Sequence, residues 1–317
     1  MNKVILEDTG CPLGCPRDDE PVLVGRDRIH ALPGRFAVVR CKSCGLMRTN
    51  PRPTQDSIGL YYPEDYGPYL GTRVSTNSSQ EKEWIKKVLR PIYTRVLEFN
   101  TTRLPKMPPG RMLEIGCASG AFLHKMAVRG WTVEGIEFSP SAAEAAARLG
   151  YKIFRGPVEK APAPASTFDL IVGWMVLEHL HEPILALKKL RSWIKPDGWL
   201  VISVPNAGSF EFTIFKDRWY ALQLPCHLYH FTPKTIGLVL DKAGWEMKKI
   251  HHHRTLTNLF ASLGHLMQDY KYEKMAEALI KLPEKAGLLN AALYPLGLIL
   301  GLLGQTGRMT VWARPKG

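Results

Sequence analysis

The sequence predicts an α/β protein: a doubly wound, mainly parallel sheet, preceded by a small cysteine-bearing domain and carrying a helical insertion before its last strand. Three observations lead there. Strand-like apolar runs alternate with helix-like segments from Met112 to Pro205, the order expected of βαβ units. The run from Phe168 to Met175 is almost continuously apolar, as in a central strand buried on both faces. The stretch from Met112 to Ile115 reads as a strand that passes through Gly116 and Gly120 into a helix over 121–129.

A chain of 317 residues holds one sizeable domain and a smaller one, and 45% hydrophobic content is that of a globular protein. The net charge of +13 favours anionic partners such as nucleotide-linked substrates, acidic lipid headgroups or RNA. Acids and cysteines stand where a secretory signal would need an apolar segment, and six cysteines, four of them paired at metal spacing, suit a reducing compartment. The expectation is a cytoplasmic protein.

The expected boundaries are a zinc-binding domain over 1–70, a linker and covering helix over 71–110, a cofactor domain over 111–255 and 308–317, and an apolar insertion over 256–307. In the first, Cys11-x3-Cys15 and Cys41-x2-Cys44 bring four thiolates into a pattern that converges tetrahedrally on zinc. Such a site is closed and structural; the alternative is free or redox-active cysteines. The Ser- and Thr-rich stretch 71–79 reads as a linker, and periodicity from Trp84 to Leu97 reads as a helix kinked at Pro91.

In the cofactor domain, glycines at 116 and 120 permit the dihedrals of a tight turn and a close approach of backbone to a ligand. Glu137, 21 residues after Gly116 and at the end of the second strand, is placed to accept hydrogen bonds from ribose hydroxyls. Ser139-Pro140 starts the alanine-rich helix 141–149, Tyr151 to Arg155 forms the third strand, Pro183 to Trp193 is an amphipathic helix, and Trp199 to Pro205 is the fifth strand.

Glu114, Gly116 and Gly120, with Ala118 at the middle glycine position, resemble the first motif of the class I S-adenosylmethionine-dependent methyltransferases. The nicotinamide-binding rival has a different glycine spacing. The resemblance implies a Rossmann-like methyltransferase sheet with S-adenosylmethionine as cofactor. It implies that Glu114 lies near the methionine part, that the backbone of Gly116, Cys117, Ala118 and Gly120 lies beneath it, and that Glu137, with Phe138 beside it, holds the ribose. Gly156 to Glu159 fall where relatives contact adenine. Met175, Glu178 and His179 follow the fourth strand and shape the cofactor pocket, His179 having the alternative role of facing the methyl group.

The cysteine pairs followed by Asn50-Pro51-Arg52-Pro53 and Tyr61 to Tyr66 are similar to the zinc domain that precedes sugar C-methyltransferases of deoxysugar biosynthesis. In those relatives tyrosines after the zinc site reach over the active site, which makes Tyr66 and Tyr69 candidates for substrate contact; the alternative is that they pack one domain on the other. Relatives also place a histidine at the His-x3-Phe position before the helix at Pro233. His227 is therefore the first candidate for the base that removes a proton beside a carbonyl, and His230 the second. Either has the alternative role of anchoring the loop. Cys226 and the His251-His252-His253 run are read as incidental, since alternation along a strand puts consecutive histidines on opposite faces.

Trp245 to His251 and Met309 to Arg314 read as the sixth and seventh strands, and between them lies an uncharged leucine-rich run over 287–304. Both strands must return to one sheet, so a single membrane crossing is excluded. A hairpin on the protein body, a homodimer interface and a membrane-surface insert that would make the protein peripheral on the inner face all remain open. The expected function is methyl transfer to a small-molecule, sugar or glycan-type acceptor. The alternatives are a lipid-linked or amphipathic acceptor at the membrane surface, an RNA methyltransferase, or a non-catalytic membrane-associated module. Nucleic acid is disfavoured because Asp18, Asp19 and Glu20 lie in the cysteine segment and arginines do not interleave with aromatics there.

Overall fold

A computed structural model describes residues 4–62, 103–282, 289 and 292–317. Tyr66, Tyr69, the linker over 71–79 and the helix over 84–97 lie outside the described residues. The central sheet has seven strands. In chain order they are β6 (Arg111–Ile115), β7 (Thr132–Glu137), β8 (Lys152–Arg155), β9 (Phe168–Trp174), β10 (Ile194–Pro205), β12 (Trp245–His252) and β13 (Arg308–Pro315). Their spatial order is β12-β13-β10-β9-β6-β7-β8, and only β13 runs antiparallel to its neighbours. The order reverses between β6 and β9, and in doubly wound sheets the carboxyl ends of the strands at such a point form a ligand crevice.

The central strands are apolar because both faces are covered: Leu170, Ile171 and Val172 of β9 and Leu200 and Val201 of β10 are fully buried. Helices α1 (Ala121–Ala127), α2 (Pro140–Arg148), α3 (Pro183–Trp193) and α5 (Pro233–Lys242) supply the covering layers. α2 starts where the Ser139 hydroxyl accepts from the Ala142 amide with Pro140 in the first turn, and α5 where Thr232 and Thr235 form a reciprocal cap. β10 begins earlier than periodicity predicts, at Ile194, with an irregular register between Ile194 and Trp199 around the Lys195-to-Gly198 turn.

The N-terminal segment builds a second sheet from β2 (Asp19–Gly25), β3 (Phe36–Cys41) and β4 (Met47–Thr49), and β11 (Tyr229–His230) completes it. A strand from beyond the fifth strand of the main sheet is thus shared with the cysteine-bearing unit. A further pair, β1 (Leu6–Glu7) with β5 (Arg52–Pro53), completes that unit. Two buried arginines brace this unit, and one of them, Arg52, also ties it to the cofactor domain. Arg48 donates to both Asp19 oxygens and to the Thr9 carbonyl, and Arg52 donates to Glu7, the His181 carbonyl and the Tyr229 hydroxyl. Leu46 and Ile58 join Leu228, Tyr229 and Phe231 in one apolar core.

The insertion forms α6 (Thr257–Asp269), α7 (Glu273–Ile280) and α8 (Tyr294–Leu302), following the short α4 (Phe210–Phe215). No helix among the described residues is long and apolar enough to cross a membrane. α8 presses closely on the end of β12, where a Cβ added at Gly297 would lie 2.0 Å from the Arg254 carbonyl, while Leu296, Ile299, Leu302 and Leu303 are exposed. Asp269 of α6 receives Arg28 of the N-terminal unit and Arg218 of the segment after β10, joining three parts of the chain.

Glu211 of α4 is buried, accepts from Trp219 Nε1 and the Gly307 amide, and has its pKa pushed up by burial to about 7. An acid whose folded pKa lies above its unfolded value binds protons more tightly when folded, so its contribution to stability is lost as pH rises from about 4.5 through about 7. Over that window the wild-type chain should lose about 3 kcal/mol relative to Glu211→Gln. Denaturant titrations of both proteins at several pH values measure this, and parallel curves would contradict it.

Candidate active site

The glycine turn after β6 is built by backbone geometry. Gly116 and Gly120 have φ of +65° and +80°, and the amides of Gly116 and Cys117 both donate to the Ile136 carbonyl, tying the turn to β7. A Cβ at Gly116 would lie 2.4 Å from Val176 Cγ2, and one at Gly120 would lie 3.0 Å from Ala146 Cβ. The glycines also let the turn pack on the β9 loop and on α2. Ala118, in the middle position, adopts φ +46°, the left-handed region that favours glycine.

A cavity of about 470 Å³ opens above this turn at the carboxyl ends of β6, β7 and β9. Its walls bring together Glu114, Gly116, Cys117, Ala118, Glu137, Phe138, Met175, His179 and His227, and Gly156 to Glu159 line it as well. Glu178 is fully buried behind the wall, and Gly120 supports the turn from below. His230 is not on the cavity: its Nε2 lies 3.2 Å from the Thr49 hydroxyl, which itself donates to the His227 carbonyl, so His230 fastens β11 to β4. Of the six non-glycine residues with positive φ among the described residues, three, Ala118, Met175 and Gln223, line the cavity, and such local strain gathers at functional sites.

The carboxylate of Glu137 accepts from the Ala118 and Ser139 amides, one on each oxygen, which holds it at the rim with lone pairs to spare. Burial pushes its pKa up, and burial together with Glu137 pushes that of Glu114 well up. Glu114 and Trp174 line the cavity, and Glu114 Oε2 and Trp174 Nε1 are buried with no hydrogen-bond partner among the described residues. An orphan acceptor and an orphan donor beside an anchored carboxylate fit a polar nucleoside-type ligand.

Opposite the turn stand two histidines. His179 Nδ1 lies 3.1 Å from the Cys226 carbonyl and 2.8 Å from the Tyr62 hydroxyl, and His227 Nδ1 lies 2.9 Å from the Ala221 carbonyl. A carbonyl can only accept, so each Nδ1 carries the proton and each Nε2 is left as an acceptor. Burial lowers the pKa of His179 to about 4 and that of His227 well below the ordinary range, so both are neutral near pH 7.

The sequence profile described as a methyltransferase domain matches residues 83–250, just over half of the chain. The chain belongs to the methyltransferase-domain family. It is an S-adenosylmethionine-dependent methyltransferase of class I. A malonyl-acyl-carrier-protein O-methyltransferase from Halalkalibacterium halodurans is 28% identical over 202 residues, 59% of this chain and 70% of that protein. A ubiquinone biosynthesis O-methyltransferase from Xanthomonas euvesicatoria is 26% identical over 168 residues, 49% of this chain and 70% of that protein. Among solved structures, Burkholderia thailandensis 1,6-didemethyltoxoflavin-N1-methyltransferase is similar at 14% identity and a TM-score of 0.46, over 91% of this chain and 99% of that one.

In this methyltransferase, Gln55, Ile58, Tyr62, Trp174 and Gln223 also line the cavity, and pattern reading did not single them out for it. The first three come from the N-terminal unit; Tyr62 lies in the Tyr61-to-Tyr66 run whose tyrosines the resemblance places over the active site, while no motif marks Gln55 or Ile58. Gln223 left no signal in the sequence; in the structure its carbonyl accepts the His227 amide. Away from the cavity, the sulfurs of Cys11, Cys15, Cys41 and Cys44 lie within 4.8 Å of one another, and Gly14 and Gly45, both at positive φ, close the two turns that bring them together. Four thiols so arranged fit one tetrahedral ion. His251 to His253 form no such group among the described residues; His253 Nε2 bonds Thr310 and the His251 ring meets Trp312 at a tilt of 58°.

Gly116→Ala should abolish S-adenosylhomocysteine binding, because the added methyl must push Val176 away in a strained backbone conformation. Calorimetric titration checks it. Affinity within twofold of wild type would show that the turn tolerates the side chain.

Proposed function

We propose that this methyltransferase acts on a small-molecule acceptor rich in hydroxyl groups, a sugar or a related carbonyl-bearing compound, with His227 as the base. The observation that carries the reading is the neutral His227 ring, oriented by the Ala221 carbonyl, with Nε2 unengaged on the cavity that holds the glycine turn. When bound, S-adenosylmethionine supplies a methyl group on a positively charged sulfur, which keeps the carbon–sulfur electron pair on transfer.

The residues of this chain do the rest. Glu137 and the turn hold the nucleoside end, and the turn–Val176 contact fixes where the other end points. The acceptor's O–H, or C–H beside a carbonyl, gives its proton to His227 Nε2, and the Nδ1–H bond to Ala221 steadies the imidazolium that forms. Tyr62, His179 and Gln223 supply a rim of hydrogen-bonding groups suited to hydroxyls. Tyr66 stays a candidate for acceptor contact. The four cysteines hold a structural zinc, and that zinc shapes the unit that delivers Gln55, Ile58 and Tyr62 to the cavity.

His227→Ala should lower kcat by about 10²–10⁴-fold while S-adenosylhomocysteine affinity stays within about twofold. His230→Ala should affect stability more than turnover. Transfer of labelled methyl into a cell extract, followed by separation of nucleotide sugars, lipids and RNA, identifies the acceptor class. Full activity of His227→Ala would remove the base, and label confined to RNA would overturn the small-molecule reading.

A further inference from the structure

We propose that His179, His227 and Glu178 form a second metal site, separate from the cysteine cluster, which takes a divalent ion of the zinc, cobalt or iron type at the acceptor end of the cavity. A ring nitrogen from each histidine and a carboxylate oxygen of Glu178 lie within 4.8 Å of one another. Both histidines donate Nδ1–H to a backbone carbonyl, of Cys226 and of Ala221. Metal-ligating histidines characteristically do this, because it fixes the tautomer and points the other nitrogen's lone pair at the ion. The two rings meet with centroids 4.6 Å apart and planes at 83°. An ion about 2.1 Å from each Nε2 sits roughly 3.2 Å from each ring centre, so centroids 4.6 Å apart lie within the span that two ligands of one ion cover.

Glu178 supplies the independent sign. It is fully buried, and both of its carboxylate oxygens lack a hydrogen-bond partner among the described residues. Arg308, a cation whose charge reaches it, donates its Nε to Ser203 instead. A buried carboxylate with two idle oxygens needs an ion, a water or a proton, and here it faces two imidazole acceptors that need the same thing. Two histidines and one carboxylate suit a borderline ion and leave positions open for further ligands. Since His179 and His227 line the cavity, those positions face it.

The inference rests on the reading that the acceptor occupies this end of the cavity, and it changes what His227 does. With the ion in place, His227 is a ligand. An acceptor hydroxyl that joins the ion releases its proton to buffer, and the ion stabilises the oxyanion that attacks the methyl group. The acceptor class narrows to compounds with a ligating oxygen, such as a hydroxyl next to a carbonyl or to a second hydroxyl.

The test uses the full chain, stripped by chelator and titrated with Co²⁺, with bound metal counted by elemental analysis after gel filtration. Two equivalents per chain are expected, one with thiolate-to-cobalt charge-transfer absorption and one with only weaker ligand-field bands. His227→Ala should lose the second kind, and Glu178→Gln, which keeps side-chain shape in case the histidine variant unfolds, should weaken it at least tenfold. A single equivalent in the wild type, or a thiolate-free equivalent bound equally by both variants, overturns the site. Methyl transfer and S-adenosylhomocysteine affinity measured on the same samples separate the two readings. A His227→Ala protein that loses turnover but keeps both equivalents leaves His227 as the base and removes the metal.

Discussion

The contact between Gly116 and Val176 is the constraint on which the rest of the site depends. It lies where β6 and β9 run side by side and their following segments diverge, and there is room for a hydrogen at Gly116 but not for a methyl. Closeness at this one point seats the glycine turn against Val176. It also fixes the direction of the β9 loop, which carries Met175, Glu178 and His179. Because both Gly116 and Cys117 amides are tied to Ile136, β7 is drawn into the same arrangement and delivers Glu137 to the rim. Three strands, two of them not adjacent in sequence, are thus registered by one close approach.

A second dependence runs from the N-terminal unit to the histidine pair. Thr49 at the end of β4 donates to the His227 carbonyl and receives His230, while its own amide donates to the Leu228 carbonyl. The histidine segment is therefore a strand edge of the cysteine-bearing sheet as much as a loop of the cofactor domain. Tyr62 reaches His179 from the same side. Buried arginines are well suited to such a junction. Arg52 satisfies Glu7, the His181 carbonyl and the Tyr229 hydroxyl at once, and a buried guanidinium that lost them would be strongly unfavourable, which favours one docking register.

Burial also sets the chemistry of the ionisable groups. Glu178 is pushed up to about 8 and His179 down to about 4 by the same loss of water, so acid and base are both held neutral close together. A neutral imidazole keeps one acceptor nitrogen and a neutral carboxyl keeps one O–H, so a cation that binds here displaces the carboxyl proton.

The sequence by itself determined the sheet, the strands and the cofactor end. Those features rest on local periodicity and on two glycines and an acid at fixed spacing, and each is decided within about 30 residues by backbone rules that leave a pattern. Zinc-type cysteine spacing was legible for the same reason. The assignment of His227 and His230 was legible only as a pair; one faces the cavity and the other binds Thr49, and neighbours from 180 residues away make that choice. Tertiary structure alone decided that Tyr62 and Gln223 line the cavity, that β11 joins the cysteine sheet, and that Glu178 stands behind two histidines. These are products of packing between distant segments. Side-chain burial and hydrogen-bond partners are properties of where the chain returns to, and no periodicity within a segment encodes them.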